Sequence, residues 1–74
     1  MPETDFKSTV SNHEVVVTHT SQGHVYRFPI LANGTVSLHG SRIESNPDAN
    51  REAGRFVFEA HVAARIAWDR ANHS

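Results

Sequence analysis

Residues 46–72 read NPDANREAGRFVFEAHVAARIAWDRAN, and this stretch carries two of the chain's four phenylalanines and its one tryptophan. It is predicted to form one long helix. Pro47 suits a first helical turn, where its missing N–H is not needed. Ser45 or Asn46 can cap the free amides, and Asp48 and Glu52 favour the positive end of the dipole. Ser45-x-x-Asp48 also has capping-box spacing. No glycine stops the far end, so fraying towards Ser74 is expected. At about 100° per residue, Ala49, Ala53, Phe56, Val57, Ala60, Ala64, Ala67, Trp68 and Ala71 share one arc, the predicted core face. Gly54 lies beside that arc and costs about 1 kcal/mol relative to alanine, so close backbone packing is expected there.

Phe58, Val62 and Ile66 recur every four residues on the opposite side, bordered by Arg51, Arg55, Arg65 and Asp69. One helix cannot bury both faces against a small sheet. Three aligned large apolar groups make a patch, which predicts a contact surface; isolated surface hydrophobes are the plainer alternative. Most soluble oligomers are homo-oligomers, so a second copy is the expected occupant, with Arg51, Arg55 and Arg65 adding polar contacts; the two open edges of the sheet are the alternative dimer contact.

Size points the same way. The chain has 74 residues and no cysteine. A single core this small supplies about 3–5 kcal/mol, and natural proteins add disulfides, a metal or oligomerisation. Without cysteine, disulfides and thiolate zinc sites are excluded, which leaves a histidine metal site or a dimer. The formal net charge of −1 argues against strongly electrostatic nucleic-acid binding. No apolar run opens the chain, so neither a signal peptide nor a membrane span is expected, and a cytoplasmic setting follows.

Residues 1–12 are polar, with Phe6 and Val10 as the apolar anchors, and are read as a flexible arm before a single domain, 13–74. HEVVVTHT at 13–20 is a β-branched strand. Ser21-Gln22-Gly23 turns the chain. HVYRFPIL at 24–31 forms the second strand, with Tyr26, Phe28 and Ile30 on one face. Ala32-Asn33-Gly34 is the strongest turn signal, and Thr35 to His39 forms the third strand. A two-residue Asn-Gly turn strands Val36 and Leu38 on the wet side. A three-residue loop with Gly34 left-handed instead pairs Ile30 with Val36 and Phe28 with Leu38. Proline cannot donate to a ladder, so Pro29 is expected near a bulge or past the last pair. The predicted fold is α+β: a three-stranded antiparallel β-meander followed by one long C-terminal α-helix (βββα) packed on one face of the sheet.

Tyr26-Arg27-Phe28, Ala32-Asn33-Gly34, Val36, Ser45 and Ala49 together resemble the YegP-like family of small bacterial proteins. The resemblance covers under half the chain and rests on a turn, a cap and a helix face. Gly54 lies a couple of residues late for the family pattern, and Pro29 is atypical. The resemblance implies βββα units that work in pairs, as tandem repeats or dimers, and a chain with one such unit is then expected to dimerise. It brings no catalytic residue.

The six histidines are the chemically suggestive residues. His19 and His24 are expected to face each other across the first hairpin, where two imidazoles can bind a metal or respond to pH. A zinc site takes three or four ligands. His39 is expected on the other sheet face and His61 on the helix flank, so no metal site and no cofactor is assigned. No nucleophile, base and orienter group together, and the domain is too small to enclose a pocket of about 300 Å³; no enzyme is expected. A DNA-reading sheet needs basic strands, and these strands offer only Arg27. A small nucleic-acid-binding domain using the sheet or the arginine-bearing helix face is the alternative. The leading expectation is a protein-interaction module that homodimerises and binds another protein, as small inhibitors encoded by phages do.

Overall fold

The computed structural model describes residues 6–72. It is an α+β fold whose antiparallel sheet has four strands in the order β1-β2-β3-β4: Phe6–Val10, Glu14–His19, His24–Pro29 and Arg42–Glu44. A 3₁₀ turn, Ala53–Phe56, leads into α1, Val57–Asn72. The helix lies mainly across β1 and β2.

The additional strand, β1, corrects the expected flexible arm over residues 6–12; the rest of that arm, 1–5, lies outside the described residues. Phe6, Ser8 and Val10 alternate with Lys7 and Thr9, and that period of two pairs Phe6 with His19 and Val10 with Val15. A tight turn over Asn12 and His13 makes the pairing local. Ser11 donates its N–H to the Glu14 carbonyl at 2.9 Å, and the Ser11 hydroxyl accepts from the Glu14 amide at 3.2 Å.

The core lies on one face of the sheet. Val15, Val17, Tyr26 and Phe28 are fully buried under Ala60 and Ala64 of α1. Each large side chain of that kind contributes about 1.5–3 kcal/mol. The two alanines let the helix sit close, while Val57, Ala67 and Trp68 pack at the margins. Glu59 in the first turn and Arg70 in the last complement the helix dipole.

The loop at 31–35 takes the expected form. Leu31 and Thr35 close it through a 2.9 Å N–H···O bond, Gly34 has φ +84°, and Ile30 bridges Val36. The third strand does not continue as expected, and Phe28 gains no ladder partner at Leu38. Ile30 sits opposite Val36 but Arg27 sits opposite Arg42, so three steps on one side match six on the other. The break falls at Pro29. Ile30 donates its N–H towards β2, so the backbone nitrogen of Pro29 points the other way, where it has no proton to offer. Ser37 donates to the Pro29 carbonyl at 2.9 Å, then residues 38–41 loop out through Gly40 at φ +80° before β4 rejoins.

The helix is the second correction, since its first eleven predicted residues are not α-helical. Asn46 does cap, but it caps a single turn. Its Oδ1 accepts from the Asp48 amide at 3.1 Å and its carbonyl from the Ala49 amide at 3.0 Å. The next amides, of Asn50 and Arg51, donate to Gln22 Oε1 at 3.0 and 3.2 Å. Glu52 is then extended, with ψ 144°. Amides committed to a side chain of the β2–β3 turn cannot close helical turns. Gly54 has open space around its Cα rather than the expected close packing. Ala49 is half-buried and Ala71 exposed.

Candidate interaction surface

Phe58, Val62 and Ile66 lie on the outer side of α1, with 69%, 50% and 49% of their surface exposed. They form a ridge. On one side runs a groove of about 910 Å³ between α1 and β1, with Phe6, Ser8 and Val10 on its floor and Val62 and Ile66 on its wall. On the other side a smaller hollow of about 450 Å³ lies between α1 and the Gly34 loop, and Val62 and Ile66 border it too.

The structure gathers only part of the expected arginine border. Arg65 lines the smaller hollow. Arg55 sits in the 3₁₀ turn just before the ridge. Arg51 belongs to the non-helical segment, where its backbone is held by His24 and Gln22, so it does not continue a helical row. The β1 floor of the larger groove was not anticipated. The signal for it was the alternation of Phe6, Ser8 and Val10 ahead of the Ser11–Glu14 turn.

Each end of the larger groove carries a charge. Glu59 and Arg70 both line it, and neither makes an ion pair with a described residue. On the open face of the sheet, by contrast, Arg27 is spent. It reaches Glu14 and Glu44 at 3.2 Å each. The hydrogen bond and charge of Glu44, followed by those of Glu14, hold its guanidinium above its ordinary value.

His19 and His24 do pair across the hairpin, with ring centroids 6.4 Å apart. Their nitrogens are not aimed at a common point. His24 is buried; the Asn46 N–H donates to its Nδ1 at 3.0 Å, and its Nε2 donates to the Arg51 carbonyl at 2.8 Å. A carbonyl only accepts and an amide only donates, so the Nε2–H tautomer is fixed. His19 is sandwiched between Phe6 and Phe56, its Nε2 is 3.2 Å from the Ser21 hydroxyl, and its buried Nδ1 has no partner among the described residues. His61, on the helix flank, donates to the Val36 carbonyl at 2.9 Å and stands edge-on to Phe28. His39 lies exposed in the 38–41 loop.

Among the described residues no group of three or more histidines and carboxylates is placed to hold a metal ion, and no helix is long and apolar enough to cross a membrane. No family model, curated protein or solved structure matches the chain.

Proposed function

We propose that the chain is a small non-enzymatic interaction module that homodimerises and presents its remaining surface to another protein. The observation that carries this is the exposed ridge of Phe58, Val62 and Ile66, large apolar groups aligned on a helix whose other face already fills the core. Such a ridge costs solubility unless something covers it. The YegP-like resemblance, with its units working in pairs, fits the same proposal. So does a cytoplasmic setting, which is compatible with a chain that has no cysteine.

The nucleic-acid alternative draws less support. Phosphate binding takes free cations, and the cation at the centre of the open sheet face, Arg27, is shared between two carboxylates.

Light scattering coupled to size exclusion tests the dimer. The wild-type chain is expected to run at twice its mass, and Val62→Glu at the mass of one chain with an unchanged circular dichroism spectrum. A wild-type monomer overturns the dimer.

A further inference from the structure

We infer that the second copy docks edge-to-edge along β1, joining two four-stranded sheets into one eight-stranded antiparallel sheet with a two-fold axis at Ser8. This rests on the homodimer proposed above and specifies its geometry.

Area makes the first argument. A stable interface takes about 800 Å² from each partner. Three half-exposed side chains offer roughly a few hundred Å², so the ridge alone is too small. The surface continuous with it is the groove, and the groove's floor is the edge strand.

Backbone parity makes the second. In an antiparallel pair, alternate residues point their N–H and C=O groups at the neighbour. Ser11 bonds Glu14 of the β2 hairpin, so Thr9 and Lys7 face β2 and Phe6, Ser8 and Val10 direct theirs outward. No described residue pairs with that edge. Natural sheets guard such edges with proline, bulges, inward charges or a covering element. β1 has no proline, bulge or inward charge, and its register with β2 runs unbroken over five residues; its one guarding charge is Lys7, on the solvent face. The opposite edge, β4, is three residues long and carries Arg42 and Glu44.

Register makes the third. An axis at Ser8 sets Phe6 against the partner's Val10 and Lys7 against the partner's Thr9, and it engages all three outward residues of both copies. An axis at Lys7 would oppose two lysines, which is destabilising.

The helices then complete the closure. α1 runs alongside β1, because Phe56, just before its start, packs tilted against His19 beside Phe6, while Trp68 near its end donates to Gly34 O at 2.8 Å, at the far end of the sheet. The axis therefore sets the two α1 helices antiparallel on one side of the joint sheet. With α1 lying over β1 and β2, a strand spacing of about 4.8 Å puts the helices roughly 10 Å apart, an ordinary packing distance. The groove wall formed by Val62 and Ile66 then faces the partner. Phe58, which does not line the groove, stays outside for a further partner.

Two variants test the edge. Ser8→Pro removes an outward N–H that β2 does not use, so the single chain keeps its fold, and the dimer is expected to be lost to the mass of one chain. Ser8→Cys introduces the only thiol, and mild oxidation is expected to give a covalent dimer on a non-reducing gel. Lys7→Cys, whose two copies sit beyond disulfide reach, is expected to give none. A Ser8→Pro chain that stays dimeric overturns the edge geometry while the homodimer stands, with Phe58 as its centre. A wild-type monomer overturns both. Should Ser8→Pro not fold, Ser8→Cys decides alone: a cross-link upholds the axis, and its absence overturns it.

Discussion

α1 and the segment from Ser45 to Phe56 roof the same sheet by different physics. α1 covers β1 and β2 with alanines over buried valines, and its contacts there are apolar. The segment before it covers β3 through hydrogen bonds from β3 and the turn before it: Gln22 holds the Asn50 and Arg51 amides, His24 holds Asn46 and Arg51, and Tyr26 donates to the Ala53 carbonyl at 2.7 Å. Gly23 belongs to this clasp as well. It has φ +80°, and a Cβ there would lie 2.6 Å from the Asn46 side-chain nitrogen. Apolar packing is broad and tolerant, whereas a clasp of single bonds is narrow. The two halves are therefore expected to fail differently.

The largest effect is expected in the apolar half. Phe28 is fully buried and packs edge-on against His61 at 5.3 Å. Phe28→Ala is expected to cost about 3–5 kcal/mol, close to all that a core of this size supplies. Urea titration at low protein concentration checks it, and the expected outcome is loss of the cooperative transition. A loss below about 1 kcal/mol would break the comparison by showing that the apolar roof is not the main support.

The same division sets what the sequence disclosed. The core faces of β2, β3 and α1 were legible, because burial imposes a period and Val15, Val17, Tyr26, Phe28, Ala60 and Ala64 obey it. The Gly34 loop was legible because only one turn length keeps Val36 inside. The Ser45–Phe56 segment was not, because its cap signals are real but local. Asn46, Pro47 and Asp48 begin a helix or a single turn equally well, and the choice is made by Gln22 and His24, more than twenty residues earlier. The exposed ridge was legible from spacing alone. The groove beside it was not, because its floor is a short strand of mixed polarity whose partner, β2, had to be placed first.

A smaller and more local effect is expected in the clasp. His24→Leu removes the acceptor for the Asn46 amide and the donor for the Arg51 carbonyl. Leaving such groups unpaired costs about 1–3 kcal/mol. The loss is expected to fall on the segment first, since stability is not uniform across a fold. Hydrogen exchange reads this out: the amides of residues 46–51 are expected to accelerate by more than those of Ala60 to Ile66. Equal acceleration in both would mean that clasp and helix open as one unit.

The finest distinction lies at Tyr26, where the two roofs meet. Its ring stacks parallel to Phe28 in the core, while its hydroxyl donates into the clasp. Tyr26→Phe keeps the ring and deletes the bond, at about 1 kcal/mol near neutral pH. Burial first, and the negative charge of Glu59 second, raise the phenol above its ordinary 10.0. The folded state thus holds the proton more tightly than the unfolded chain does. That stabilisation is fully present below the unfolded value and is lost as pH rises through the folded one. Wild type is therefore expected to lose stability above about pH 10, while Tyr26→Phe lacks that component. The chain has one tyrosine, so tyrosinate absorbance follows the same group directly. A constant stability gap between the two proteins through this range would mean that the clasp bond survives ionisation, which a donor hydroxyl cannot do.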